Sequence, residues 1–152
     1  VLRTFLLVVA ILVVVAGCGS SPKTVTKAQY QAELQRLGQD LADAGSELGR
    51  SIDIATFNGN VDNLKDHLHK AADDLRDLKP PADAQSANKQ LADALEGFAG
   101  ELDSVKDARR ESIVRARAAL LRVSRSEPVR QARAATRELK VNGYDIGQFG
   151  SL

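Results

Sequence analysis

The chain has 152 residues, 21 Lys/Arg against 20 Asp/Glu, and a single cysteine. That length suits one ordinary domain, the balanced charge excludes a wholly basic nucleic-acid binder, and one cysteine excludes an internal disulfide. With four Phe, two Tyr and no Trp, alanine and leucine must fill the core, as they do where helices approach closely.

At the start of the chain, Arg3 is the only charge before an unbroken apolar run from Phe5 to Ala16, and Val15-Ala16-Gly17-Cys18-Gly19-Ser20-Ser21 closes it. A charge, an apolar stretch and small residues before a cut make up a secretory signal peptide. At about 1.5 Å per residue the run spans roughly 18 Å, short of a hydrocarbon core of about 30 Å. Val15 to Cys18 resembles a bacterial lipobox, with Val15 where Leu is commoner. That resemblance implies a diacylglyceryl group on the Cys18 sulfur, cleavage before Cys18 and residence at the extracytoplasmic face of the bacterial cell membrane. Two acyl chains anchor a protein stably where one does so only marginally. The competing reading is an uncleaved anchor helix with Cys18 a bystander. The expected organisation is a signal peptide over 1–17, an acylated cysteine and short tether over 18–25, and a helical domain over 26–152.

Thr26 opens the first helix, with Gln29 completing a capping box. Tyr30, Leu34, Leu37, Leu41, Ala44, Leu48 and Ile52 recur at helical steps. Gly38, Gly45 and Gly49 weaken this helix but allow a neighbour to approach. Phe57-Asn58-Gly59-Asn60 reads as the turn that stops it. A second helix follows the seam Val61, Leu64, Leu68, Ala71, Leu75 and Leu78, carries Lys79 in its last turn, and ends at Pro80-Pro81. A third carries Ala84, Asn88, Leu91, Leu95, Phe98, Leu102 and Val105, then meets Arg109 in the seam before Ile113, Ala116, Leu120 and Val123 resume. A charge in the seam, and a partner too short to cover forty helical residues, place a break within 106–112. Ser126 caps a last helix with Pro128 in its first turn and Val129, Ala132, Thr136 and Leu139 inward. Asn142-Gly143 ends it, and Tyr144, Ile146 and Phe149 are expected to fold back onto the helices. The expected fold is all-α, an antiparallel bundle of about four helices.

Charge is segregated along this chain. Residues 18–104 hold nine Lys/Arg against fifteen Asp/Glu, whereas 105–140 hold eleven against four. Either the acidic front pairs with the basic back, or the back presents an arginine face to an anionic partner. Arg115, Arg122, Arg130, Arg133 and Arg137 are the candidate set, being planar, permanently charged forks for carboxylate or phosphate. Outside the membrane their partners would be anionic lipid, wall polymer or an acidic envelope protein. Nucleic acid is not expected, since no aromatic platform interleaves the arginines.

No catalytic motif appears, so neither an enzyme nor a cofactor is expected. His67 and His69 point about 200° apart on a helix and cannot grip one ion together. Asp62, Asp66, His69 and Asp73 line one face that would hold a cation only loosely, so no metal site is assigned.

The run Leu75-Arg76-Asp77-Leu78-Lys79-Pro80-Pro81 before an Ala/Leu-rich helix, and the ending Gly143-Tyr144-Asp145, together with the lipobox, resemble small uncharacterised secreted lipoproteins of actinobacteria. That resemblance implies a membrane-tethered, all-α domain and supplies no catalytic or binding residues. The functional expectation is a lipid-anchored binding or interaction module of the cell envelope. A structural spacer without a specific ligand is the alternative, and a weak metal binder or small enzyme the second.

Overall fold

A computed structural model describes residues 24–51 and 53–151, and the side chains of all of these except 54, 111, 113, 117 and 151. The expected signal peptide (1–17), Cys18, most of the tether and Ile52 lie outside the described residues. Among the described residues there is no strand. Five helices run in order: α1 (Lys27–Gly49), α2 (Ile54–Asp77), α3 (Gln85–Glu111), α4 (Ile113–Val123) and α5 (Glu127–Val141), with 3-10 turns at Ala82–Ala84 and Gly147–Ser151. No helix among them is long and apolar enough to cross a membrane.

α1 begins at the expected capping box. The Gln29 N–H donates to Thr26 Oγ1 (3.2 Å) and the Thr26 N–H donates to Gln29 Oε1 (2.9 Å). Its inward stripe, Tyr30, Leu34, Leu37, Leu41 and Ala44, is buried. The expected turn at Phe57–Asn60 is wrong, because the chain breaks earlier and those residues lie inside α2. Asp53 caps α2 by accepting from the Thr56 N–H (2.9 Å) and hydroxyl (2.7 Å). Asn60, read as a turn former, donates to the Glu47 carbonyl (2.9 Å) and so satisfies the end of α1 from the side of α2. Phe57 then falls one turn before Val61 on the buried seam.

α2 ends at Asp77, so Arg76 rather than Lys79 lies in its last turn. Pro81 leads into the 3-10 turn that starts α3. The break within 106–112 is present: Ser112 is extended (φ −170°, ψ 159°), ends α3, and accepts from the Arg115 N–H to cap α4. The apolar stripe beyond Arg109 therefore belongs to a separate helix, which raises the expected count of about four to five. Arg109 sits in the last turn of α3, favourable for the helix dipole, with its guanidinium 5.9 Å from the Phe57 ring centroid.

α2, α4 and α5 all pack on α3, while α1 packs on α2 and on the C-terminal 3-10 turn. One hydrophobic core joins all five helices. Its polar centre is Asn88, which accepts from the Tyr30 hydroxyl (2.9 Å) and donates to the Leu75 carbonyl (2.7 Å), linking α3 to α1 and α2. Leu75 is among the last residues of α2, where carbonyls lack helical partners.

The C-terminal segment folds back as expected. Gly143 takes the left-handed conformation (φ 73°) that ends α5. Tyr144 packs edge-on to Tyr30 with centroids 5.5 Å apart, and its hydroxyl donates to Asp83 Oδ1 (2.7 Å). Ile146 and Phe149 are buried. Gly38 is what admits Phe149, since a Cβ there would stand 2.9 Å from the Phe149 backbone nitrogen. Ser126 occupies the cap position of α5, but its hydroxyl is buried and has no hydrogen-bond partner among the described residues.

Candidate functional site

The ion pairs answer how the segregated charge is used. Front carboxylates are engaged chiefly within α1, α2 and α3. Arg36 reaches Asp40 (2.8 Å) and Asp74 (2.9 Å), Lys65 reaches Asp103 (2.7 Å), and Lys106 reaches Asp62 (2.6 Å). Arg76 lies between Asp73 (3.2 Å), Asp93 (3.6 Å) and Glu96 (3.4 Å), and Glu96 also meets His69 (3.1 Å). Hydrogen bonds from basic neighbours hold Asp74, Asp93, Glu96 and Asp103 below the usual carboxylate range. For Asp74 the larger cause is Lys70, ahead of Arg36; for Asp93 it is Lys89; for Glu96 it is His69, ahead of Arg76. Of the Asp62, Asp66, His69 and Asp73 stripe, Asp62 and His69 clamp α2 to α3, Asp73 pairs locally with Arg76, and Asp66 is exposed. Among the described residues, no three His, Cys, Asp or Glu side chains converge to hold a metal ion.

Front–back pairing is formed by Lys106 with Asp62, and Arg109 acts electrostatically on Asp53, whereas the arginines of α5 make no ion pair with a front carboxylate among the described residues. Arg130 pairs locally with Glu127 and donates to the Arg125 carbonyl (3.0 Å). Arg122, Arg133 and Arg137 are exposed and make no ion pair among the described residues. Arg115 and Arg122 flank a shallow groove between the end of α3 and α4, which Asp107 also lines. Arg130, Arg133 and Arg137 share the exposed face of α5 at helical steps. The five candidates therefore divide between two helices that both rest on α3, rather than forming one row. Val114 and Leu121 are exposed (71% and 60%) on α4 beside the first pair.

An apolar cleft of about 390 Å³, not legible as a site in the sequence, lies between α1 and α5. Leu64 and Leu68 of α2, with Leu95 and Phe98 of α3, form its floor. Its walls are Gly38, Ala42 and Gly45 on α1 and Val129 and Ala132 on α5. The walls fail to meet because those α1 positions carry almost no side chain. A Cβ at Gly45 would meet nothing within 4 Å, so this glycine, unlike Gly38, admits no neighbour. Phe149 and Gln148 line it beside Gly38, and Pro128 and Ser124 complete the lining. Pro128 is seated there by Gly97, where a Cβ would stand 2.9 Å from its ring. Arg133 is the only charged residue lining the cleft among the described residues, and it is exposed.

The arrangement offers apolar surface and one free guanidinium fork. Among the described residues that line it, the polar side chains are Ser124, Gln148 and Arg133. The chain matches no protein-family model, and neither curated proteins nor solved structures yield a significant match.

Proposed function

We propose that this chain is a lipid-anchored, extracytoplasmic helical-bundle protein that serves as a binding module of the bacterial cell envelope. Cys18 is its anchor, and the arginine-bearing face of α5 is its surface for an anionic partner. The lipobox-like Val15–Cys18 supports the address. The bundle geometry, with α5 running back along α1, is supported by the Lys27 ammonium capping the far end of α5 at the Asn142 carbonyl (2.9 Å).

The observation that carries the binding role is that Arg133 and Arg137 make no ion pair among the described residues. In a chain whose front half has surplus acid, most cations of α1–α3 find carboxylates, yet these two remain in solvent. Guanidinium groups in that state are available for charge-assisted, bidentate bonds to carboxylate or phosphate.

The test is made in living cells with the full chain. Cys18→Ala should move the protein from the membrane to the soluble fraction. A photocrosslinking residue at position 137, which lies outside the cleft, should give a discrete, salt-sensitive adduct with an acidic protein, or a lipid or polymer adduct. Membrane retention of the Cys18→Ala variant removes the anchor assignment. No adduct at position 137 removes the anionic-surface assignment and leaves a spacer.

A further inference from the structure

The geometry points to the α1–α5 cleft as a binding site for a fatty acid, its acyl chain lying on Leu64, Leu68 and Leu95 and its carboxylate on Arg133. This deepens, and rests on, the reading of α5 as an anion-binding surface. Three observations carry it.

The space is of ligand size. Protein interiors leave few voids larger than a water, whose share of liquid volume is about 30 Å³. The cleft, at about 390 Å³, lies within the roughly 300–1,000 Å³ of small-molecule sites. Its lining is apolar except at the rim, and apolar cavities exclude water and take apolar guests.

The shape is that of a trough. Gly38 to Gly45 spans about 10 Å of α1 at about 1.5 Å per residue, and the facing wall runs along α5 from Pro128 to Arg133. The trough runs along the helices, which suits a flexible single chain better than a rigid ring system. Gly45 keeps it open although no neighbour requires a glycine there and alanine would favour the helix.

The charge is complementary to one kind of head group. Among the described residues the lining includes no carboxylate and one cation, Arg133, which makes no ion pair with them. A carboxylate at the end of an acyl chain seated on the floor would meet this fork at the rim. An uncharged alcohol of the same length would gain the apolar contacts alone.

The experiment uses membranes that contain the full chain, a diazirine-bearing fatty acid as the probe, and mass spectrometry to locate the adduct. Adducts are expected on cleft residues such as Ala42, Leu64 and Val129. Competition by octanoate, laurate and palmitate should strengthen by about fourfold per added methylene until the trough is full. The alcohol matching laurate should compete about tenfold or more weakly, as should laurate itself against Arg133→Gln. Gly45→Leu, placed where a Cβ has room, should abolish labelling while helicity and urea midpoint persist. Ala42→Phe is a second filling variant should the first not fold. Adducts confined to exposed Val114 and Leu121, a self-crosslinked dimer, or labelling unchanged in folded filling variants would each overturn the proposal. Cleft labelling that is equal with alcohol and acid, and indifferent to Arg133→Gln, overturns the fatty-acid assignment. The crosslink at position 137 reports separately on the wider surface, so the two readings fail by different results.

Discussion

Replacing Asn88 by leucine keeps roughly the same volume but removes a buried polar link shared by α1, α2 and α3. The Tyr30 hydroxyl and the Leu75 carbonyl both lose their partner, and both residues are fully buried. Each orphaned group costs about 1–3 kcal/mol, and the extra apolar burial of leucine returns part of that, so the net loss should be about 2–4 kcal/mol. For a domain whose total stability is about 5–15 kcal/mol this is a large fraction. Tyr30→Phe alone removes the hydroxyl but strands Asn88 Oδ1, costing about 1–2 kcal/mol. In the double variant only the Leu75 carbonyl remains orphaned, so that variant's loss should fall short of the sum of the two single losses by about 2–5 kcal/mol. Urea unfolding followed by far-UV circular dichroism measures all four proteins, with an unchanged slope as the check on two-state behaviour. A loss below about 0.5 kcal/mol for Asn88→Leu, or strict additivity in the cycle, would refute the claim that Asn88 is the hydrogen-bonded centre of this core.

The same geometry sets three further outcomes. Gly45→Ala should stabilise by about 1 kcal/mol, because it improves helix propensity and its methyl meets nothing; a thermal shift of about 3–5 °C is the readout, and destabilisation would mean the cleft is not open there. Burial raises Tyr30 well above the ordinary value of 10, and burial with the Asp83 hydrogen bond pushes Tyr144 up to about 12. Raised folded values mean the neutral phenols stabilise fully below pH about 10, where free tyrosine ionises, and that stability is lost as pH rises through the folded values. Tyrosinate absorbance, which reports only these two residues, should be missing at pH about 10 and appear as helicity is lost; ionisation at about 10 in the folded protein would refute the burial. Asp74, Asp93 and Glu96 shift the other way, so their contribution is complete above the unfolded carboxylate range of about 4 and is lost as pH falls through their lower folded values. The urea midpoint should therefore be level from pH about 7 to 5 and fall below about 4, less so in high salt. A midpoint that stays level to the lowest pH would show those pairs to be idle.

The helical stripes were legible because burial repeats with the helix: Tyr30 to Ala44, Leu64 to Leu75, and Leu91 to Val105 face inward as their spacing required. The α3–α4 break was legible for an energetic reason, a charge in an apolar seam. The α1–α2 break was misplaced because Asn58-Gly59-Asn60 is a strong local turn signal, while the decisive features are tertiary. Phe57 needs a core position, and Asn60 makes its bond to another helix. The cleft was illegible for a related reason. Small residues on a helix face fit a close neighbour or a gap equally well, and only the position of other elements separates the two. Phe149 arrives at Gly38, nothing arrives at Gly45, and no local sequence rule distinguishes those glycines.

Arg133 offers a way to separate what the fold requires from what a ligand requires. On α5 it stands three residues from Arg130 and four from Arg137, spacings at which like charges are neighbours and each pair destabilises a helix by about 0.2–0.5 kcal/mol. It makes no compensating ion pair among the described residues, so the fold gains nothing evident from its charge. Arg133→Gln should therefore leave stability unchanged or raise it by a few tenths of a kcal/mol, an effect that shrinks as salt screens the repulsion. Loss of binding with that sign of stability change is the pattern of a residue retained for function at a small cost in stability. Thermal unfolding at low and high salt decides the matter. If the glutamine variant is less stable by more than about 0.5 kcal/mol, beyond the usual range for an exposed substitution, Arg133 is part of the scaffold and its place at the cleft rim says nothing about a ligand.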